Sequence, residues 1–409
     1  MISGILLGLI LGIPMGFIPG LNTGLLALYG GFITPDIEFN YGLIIGINMT
    51  SNVLKILNIL QGYSTHNVEE EELTNAEKIE LVWCSIDNYV TGKFLGAGIA
   101  IFMVMYLGDG AFSLSDPLSK GMCMAFVAFF TVTLITDKAT DKGLAIINIA
   151  LVAITSLLIT NLPIEKPMFL FLNCLFIVPN LRKLGQVPSP ITIKSTRKVK
   201  ETIQNWQGLV PGILCSILWG TSSVSALKAM EESDDNKQNI YAKAAICNGC
   251  ASSLTMAILL QGGGPIKSES AYELSKLSIH FDILTMSALI LMSALMSALA
   301  YLHWEQISRL YIVTFNKLVT ISGQSYLNSW QSYLNIGYIF LRLPIFIPLF
   351  ATIGQHFGQN VSYDTYFWYI LIFFNSVIIQ KLHRFSRNPS ELSISGLSIV
   401  PVVNMIMKG

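Results

Sequence analysis

The sequence predicts an all-α polytopic membrane protein that contains two structural repeats. The first observation is composition, because 52% of the 409 residues are hydrophobic and only 12% are charged. A soluble protein carries about 25% charged residues, and a water-exposed surface does not accommodate so many apolar side chains. The second observation is a series of apolar stretches of roughly the 20 residues that cross a bilayer. The third is a polar segment that occurs twice in the chain.

Apolar stretches run along most of the chain and predict roughly 10 to 14 membrane segments. Several are short or interrupted by glycine and proline, so we expect some to be broken or re-entrant helices. The amino-terminal stretch lacks a cationic start and a small-residue cleavage pattern, which favours a first membrane helix over a removable signal. The predicted spans are 2–18, 41–60, 88–107, 119–136, 143–161, 167–180, 207–227, 240–260, 278–302, 306–322, 333–353, 363–381 and 392–407.

A basic segment separates the two halves of the chain. Residues 181–200 carry six cations and no acid, and their prolines and lack of periodicity predict a linker. Loops rich in lysine and arginine stay on the cytoplasmic side, so we expect a multi-pass protein of the cell membrane with a cytoplasmic linker at 181–202. The first membrane repeat is then 1–180, and the second repeat with the carboxy-terminal helices is 203–409.

Charge, cysteine and histidine patterns argue against several functions. A net charge of zero, without basic and aromatic residues interleaved, argues against nucleic-acid binding. The C-x-x-C of Cys247 and Cys250 has no second pair or nearby histidine, so packing is favoured over metal or redox chemistry. The histidines show no metal-ligand spacing, and no phosphate-binding loop or nucleophile motif is found. We therefore expect no metal site, no cofactor and no enzyme activity.

The repeated polar segment aligns without a gap. Residues 47–62 read INMTSNVLKILNILQG and residues 247–262 read CNGCASSLTMAILLQG, with five identities in sixteen positions. Each copy follows an apolar segment, an arrangement typical of the repeats of secondary transporters. We expect the inverted arrangement, which requires an odd number of spans in the first half.

A Pro-Gly pair precedes each polar segment, and we align Pro19-Gly20 with Pro211-Gly212 at an offset of 192 residues. Proline lacks an N–H, and glycine tolerates conformations that other residues avoid, so each pair is predicted to break a helix. Unpaired backbone groups persist in a bilayer only inside protein or along a wet cavity. Matched breaks therefore indicate a binding site near the midplane, and the alternative is a simple kink in a packed helix.

Polar residues after the breaks and within the repeated segments are candidates for binding a substrate. Hydroxyl and amide oxygens suit a hard cation such as sodium, and the matching donors suit a carboxylate or phosphate oxygen. The alternative is helix–helix packing, which also enriches these residue types. The candidates are Asn22, Thr23, Asn48, Thr50, Ser51, Asn52, Thr221, Ser222, Ser223, Asn248, Ser252 and Ser253.

Lys55 is the one further candidate, and it lies in the apolar run SNVLKILNIL. An ammonium group in a membrane is costly and faces a cavity or a partner, where it would neutralise an anionic substrate. The alternative is snorkelling from a helix end. Asp87 and Lys93 bracket the start of a predicted span, so we expect them at the membrane interface.

The stretch GLILGIPMGFIPGLNTGLLALYGG resembles the amino-terminal signature of the large membrane subunit of tripartite tricarboxylate transporters. GINMTSNVLKILNILQGYS and AAICNGCASSLTMAILLQGGGPI resemble the polar segments of the two halves of that family, and the chain is similar to its compact, archaeal-type members. The pattern departs at Gln61-Gly62, where the family has Pro-Gly, and near Lys243, where it has an acidic residue. The resemblance implies uptake of a carboxylate coupled to sodium or protons, with an extracytoplasmic binding protein and a small membrane subunit as partners.

Two functions follow as expectations. The first is an ion-coupled secondary transporter that moves a small organic anion, such as a di- or tricarboxylate, by alternating access. The second is a translocase for a lipid-linked phosphate such as a polyprenyl carrier, which a groove open to lipid and lined by lysine or arginine would distinguish. An intramembrane enzyme is disfavoured, because the sequence shows neither paired carboxylates nor a Cys-His pair within the apolar runs.

Overall fold

The fold is described from a computed structural model. The structure describes residues 1–17, 36–61, 74–107, 125, 128, 131–132, 142–160, 171, 191, 206–217, 237–260, 281–323 and 363–383. Helices account for almost all of these residues and no strand occurs among them, which confirms the all-α class for this part of the chain.

Each described helix overlaps a predicted span, although several boundaries differ. They are α1 Ile2–Phe17, α2 Ile37–Leu54 with a 3₁₀ continuation Lys55–Gln61, α3 Asn75–Leu107, α4 Lys142–Thr160, a 3₁₀ turn Trp206–Gly208 leading into α5 Leu209–Ile217, α6 Lys237–Leu260, α7 Ile283–Leu302, α8 Trp304–Gly323 and α9 Tyr363–His383. The predicted spans 119–136, 167–180, 333–353 and 392–407 lie outside the described residues or meet them only at isolated positions.

Four of the described helices are long and apolar enough to cross a membrane, by length and composition. They cover Glu38–Leu60, Ala76–Tyr106, Lys142–Ile159 and Ile283–Leu302. Large apolar side chains lie on the outer faces of three of them, and Phe102, Ile154 and Leu284 are each more than half exposed. Such faces are stable against lipid rather than water, so the structure supports a helical protein embedded in a membrane.

Side-chain caps fix where three of these helices begin. Asp36 accepts a hydrogen bond from the N–H of Phe39 at the start of α2, and Asp282 accepts one from the N–H of Thr285 at the start of α7, both at 3.1 Å. Hydrogen bonds from the hydroxyl and the N–H of Thr285 lower the pKa of the Asp282 carboxyl, because they stabilise its charged form.

The start of α3 differs from the prediction by more than three helical turns, because the predicted span begins at 88 and the helix at Asn75. Thr74 and Glu77 form a reciprocal capping box, in which the N–H of Thr74 donates to Oε2 of Glu77 at 2.7 Å and the N–H of Glu77 donates to Oγ1 of Thr74 at 3.3 Å. The helix therefore begins at Asn75, and Lys93 lies in its middle. Lys93 was expected beside the start of this helix and lies in its middle instead, because the polar first turns concealed the beginning of the helix.

Glycines allow α1 and α5 to contact their neighbouring helices backbone to backbone. In α1 the glycines recur at every fourth position from Gly4 to Gly16, on the face that packs against α2. A Cβ atom at Gly8 would collide with the carbonyl oxygen of Leu43. A Cβ atom at Gly208 would likewise collide with the carbonyl oxygen of Lys243 in α6.

Close backbone contacts at glycines also join α3 to α6. Cβ atoms at Gly92 and Gly96 would collide with the backbone of Ile246 and Cys250, respectively. From the other side, a Cβ atom at Gly249 would collide with the carbonyl oxygen of Tyr89. This interlocking contact sets the distance between the two helices, and α7 packs against α2 and α3 beside it.

A pair of glycine substitutions in α3 tests this contact. We expect Gly92→Ala to destabilise the protein by about 1–3 kcal/mol, since the new methyl group meets backbone that cannot move aside cheaply. Gly98→Ala is the matched control in the same helix, because no atom lies within 4 Å of its Cβ position. Alanine there is expected to raise stability by about 0.5–1 kcal/mol. Thermal unfolding in detergent, followed by tryptophan fluorescence, measures both, and equal melting temperatures would contradict the interlocking contact.

Candidate functional site

A cavity of about 300 Å³ lies where α2, its 3₁₀ continuation, α3, α6 and α7 meet. Its lining combines lysine, amide, hydroxyl and apolar side chains and includes no acidic residue. The lining residues are Asn48, Asn52, Lys55, Ile56, Ile59, Ser85, Tyr89, Lys93, Ala245, Asn248, Ala251, Ser252, Thr255, Met256 and Ser293.

Lys93 is the most deeply buried charge of the cavity. Its side chain is 1% exposed, and its Nζ donates a hydrogen bond to Oγ of Ser252 at 2.7 Å. The backbone carbonyl of Lys93 accepts a second bond from Oγ of Ser253 at 2.7 Å, which fixes α3 against α6 at this level. Among the described residues, no carboxylate lies within ion-pair distance of Lys93.

Lys55 lies at the junction where α2 changes into a 3₁₀ helix. Its Nζ donates to Oδ1 of Asn52 at 3.3 Å, and Nδ2 of Asn52 donates to Oγ of Ser252 at 3.4 Å. Because Ser252 also accepts from Lys93, one chain of hydrogen bonds links the two ammonium groups. Both lysines thus face neutral oxygens, and the described part of the chain places no acid beside either of them.

Ser85 and Tyr89 bring two further buried hydroxyls to the cavity. The Oγ of Ser85 has no hydrogen-bond partner among the described residues, and the hydroxyl of Tyr89 lies beside Ser252 without full hydrogen-bond geometry. An unsatisfied buried polar group costs about 1–3 kcal/mol. A water molecule or a ligand oxygen in the cavity would supply the missing partners.

Five of the residues predicted to bind a substrate lie in this cavity. They are Asn48, Asn52, Lys55, Asn248 and Ser252. They come together because positions spaced by about four residues share one face of a helix. The two polar segments of the repeat therefore both line this cavity.

Three other predicted residues serve packing instead. The hydroxyl of Thr50 donates to the carbonyl of Leu9 at 3.0 Å and to that of Gly46 at 3.1 Å. Ser253 binds the backbone of α3, and Ser51 is buried outside the cavity lining. Each helical residue is rotated by about 100° from the one before, so consecutive polar residues cannot all face one cavity. The structure thus places these three side chains outside the cavity lining.

The predicted helix break in the second half is not found at its predicted place. Helix α5 runs through Pro211 and Gly212, which lie in its first turn. Proline is compatible with a first turn, since its missing N–H has no partner there in any case. The remaining predicted residues lie outside the described part of the chain: Pro19, Gly20, Asn22, Thr23, Thr221, Ser222 and Ser223.

Several cavity residues were not predicted from the sequence. Lys93 was assigned to the interface, although the T-x-x-E pattern of Thr74 to Glu77 signals the earlier helix start. Ser85 and Tyr89 precede Lys93 at intervals of four residues and share its face of α3. On α7, Ser293 carries no sequence signal, because serine is common in packed membrane helices.

No family model, no curated protein and no solved structure matches this chain. The resemblance to the tripartite tricarboxylate transporters therefore stays a prediction, and the function has to be argued from the cavity.

Two serine-to-alanine substitutions test which hydroxyls are bonded. We expect Ser253→Ala to lower stability by about 1 kcal/mol, because it removes the bond to the carbonyl of Lys93. Ser85→Ala removes an unpaired hydroxyl, so its melting temperature is expected to match or exceed that of the wild type. Thermal unfolding of the two purified variants makes the comparison, and a larger loss for Ser85→Ala would contradict the assignment.

Proposed function

We propose that the protein is a membrane transporter that binds a small organic anion in the cavity between α2, α3, α6 and α7. The observation that supports this proposal is the pair of lysines, Lys55 and Lys93, in a cavity without an acidic lining residue. A buried ammonium group without a counter-charge is costly in a membrane. A bound anion would supply that counter-charge and would make the filled cavity more favourable than the empty one.

The other polar groups of the cavity suit the same ligand. The amides of Asn48 and Asn248 and the hydroxyls of Ser85 and Tyr89 are able to donate hydrogen bonds to anionic oxygens. A volume of about 300 Å³ is at the small end of ligand sites. Both properties favour a compact ligand such as a di- or tricarboxylate over a large one.

The arrangement of the helices supports transport rather than simple binding. Polar segments from two halves of the chain meet at one cavity among membrane-length helices, as in secondary transporters that work by alternating access. We extend the proposal to a multi-pass protein of the cell membrane with its linker, 181–202, in the cytoplasm and with sodium or protons as the coupling ion. An extracytoplasmic binding protein and a small membrane subunit belong to the same proposal through the family resemblance.

Uptake by reconstituted protein tests the function. Proteoliposomes that contain the purified chain are given radiolabelled citrate or succinate under an inward sodium or proton gradient. Accumulation above protein-free vesicles, abolished when the gradient is collapsed, is the expected result. Absence of uptake and of binding for both anions would overturn the proposal. A response to polyprenyl phosphate instead would favour the lipid-linked phosphate translocase.

Replacing the cavity lysines tests the site. We expect Lys93→Met and Lys55→Met each to weaken anion binding about 10- to 100-fold, since a charge-assisted hydrogen bond contributes about 1.5–3 kcal/mol. Lys142→Met is the matched control, because Lys142 is exposed at the start of α4, away from the cavity. Equilibrium dialysis with labelled citrate gives the affinities.

Stability distinguishes lost binding from lost folding. Because a buried unpaired charge is replaced by an apolar side chain of similar length, Lys93→Met is expected to melt at or above the wild-type temperature. Unchanged affinity in both cavity variants would contradict the proposed site.

A further inference from the structure

The contacts of α1 on α2 recur in the contacts of α5 on α6 at a constant offset of 200 residues. A Cβ atom at Gly8 would meet the carbonyl of Leu43, and one at Gly208 would meet the carbonyl of Lys243. The next contacts keep this relation, with Gly12 against Ile47 and Gly212 against Cys247. The two helix pairs therefore pack in the same register.

This register differs from the one predicted from the Pro-Gly pairs. Gly212 corresponds in structure to Gly12 and not to Gly20, so the offset is 200 residues here as well and not the predicted 192. In the new register, Gly-Leu at 8–9 and Gly-Ile at 12–13 are identical to the residues at 208–209 and 212–213. The Pro-Gly pairs gave the wrong alignment, because Pro211 matches position 11, which is a leucine in the first copy.

Burial follows the same register along α2 and α6. From 41 to 58 and from 241 to 258, each position has the same burial class in both copies except Ser51 and Ala251. In the first copy the partly exposed positions are Asn48, Asn52 and Lys55, all of which line the cavity. Their counterparts, Asn248, Ser252 and Thr255, are also partly exposed and line it too.

The cavity lining is therefore composed largely of matched positions. Ten of its fifteen residues form five pairs at the offset of 200: Asn48 and Asn248, Asn52 and Ser252, Lys55 and Thr255, Ile56 and Met256, and Lys93 and Ser293. The last pair lies on α3 and α7, along which most of the other burial classes differ at this offset. Lys93 and Ser293 are buried alike, at 1% and 2% exposure.

One hydrogen bond joins two positions that are matched at the offset of 200. Nδ2 of Asn52 donates to Oγ of Ser252, and Ser252 is the residue that matches Asn52 at the offset of 200. Two positions related by a two-fold rotation touch each other only beside the axis. The order of the helices is compatible with such an axis, because α3 packs on α6, α7 packs on α2, and α3 and α7 pack on each other, although the contact of α3 with α6 is much the more extensive.

We propose that the helices α1, α2 and α3 and the helices α5, α6 and α7 form two copies of one structural unit, related by a two-fold pseudoaxis through the cavity. Positions 55, 93, 255 and 293 together set the charge of the preferred ligand. In this protein the first copy supplies both ammonium groups, Lys55 and Lys93, and the second supplies the neutral hydroxyls of Thr255 and Ser293. Because the axis makes these positions equivalent in pairs, the number of lysines among them decides the preferred anion, whichever copy carries them. This inference rests on the proposed anion-binding function.

Charge swaps between the copies test the equivalence. We expect Lys55→Thr to weaken binding of labelled citrate at least about tenfold, as for loss of one charge-assisted bond. The double variants Lys55→Thr/Thr255→Lys and Lys93→Ser/Ser293→Lys restore the charge count and are expected to bind within about threefold of the wild type. A swap variant that folds but does not restore binding would overturn the inference. Failure of both swap variants to fold would overturn it too, because equivalent surroundings would accept either residue.

A gain-of-charge variant tests the selectivity. Thr255→Lys adds a third lysine, so we expect the ratio of citrate affinity to succinate affinity to rise about tenfold over the wild type. An unchanged ratio would contradict the role of the charge count.

The wild-type measurements separate the two proposals. If the wild-type protein binds neither citrate nor succinate, the proposed function fails and the inference on charge fails with it. If the wild type binds and Lys55→Thr weakens binding, but no swap restores it, the function stands and the pseudosymmetric site fails.

Discussion

The contact between the backbones of α3 and α6 is the constraint on which the cavity depends. Because Gly92, Gly96 and Gly249 place no side chain between the helices, the two approach closely enough for Lys93 to reach Ser252. The bond from Ser253 to the carbonyl of Lys93 then fixes the rotation of α3 about its axis. A lysine in the middle of a long membrane-length helix would otherwise extend towards an interface. In this protein the close contact of α3 with α6 keeps the side chain of Lys93 in the cavity.

The cavity also explains the composition of α6. This helix has 24 residues, enough to cross a bilayer, yet it is not among the four described helices that are apolar enough to do so. Its polar side chains at 248, 252 and 255 face the cavity, and Tyr241, Ile246 and Leu254 are buried against other helices. Low hydropathy in a membrane-length helix thus marks the helix that contributes most to the site.

Sequence reasoning predicted the elements better than it predicted which side chains they direct inward. Apolar runs located most of the described helices, since a helix surrounded by lipid and protein is apolar over its whole length. Asn48 and Asn248 could be predicted because the repeated segment aligns without a gap. Thr50 and Ser253 could not be separated from them, since neighbouring polar residues differ only in rotation about the helix axis. Lys93 was missed because it is distant in sequence from the repeat.

The 3₁₀ helix after Leu54 has a geometric consequence. A 3₁₀ helix rises about 2.0 Å per residue and an α-helix about 1.5 Å, so residues 55–60 extend over about 12 Å and the α-helical residues 255–260 over about 9 Å. The first segment therefore extends about 3 Å further along its helix axis than the matched segment of the second copy. The tighter winding thus makes α2 and α6 reach unequal distances beyond the cavity, although their matched positions line the same space.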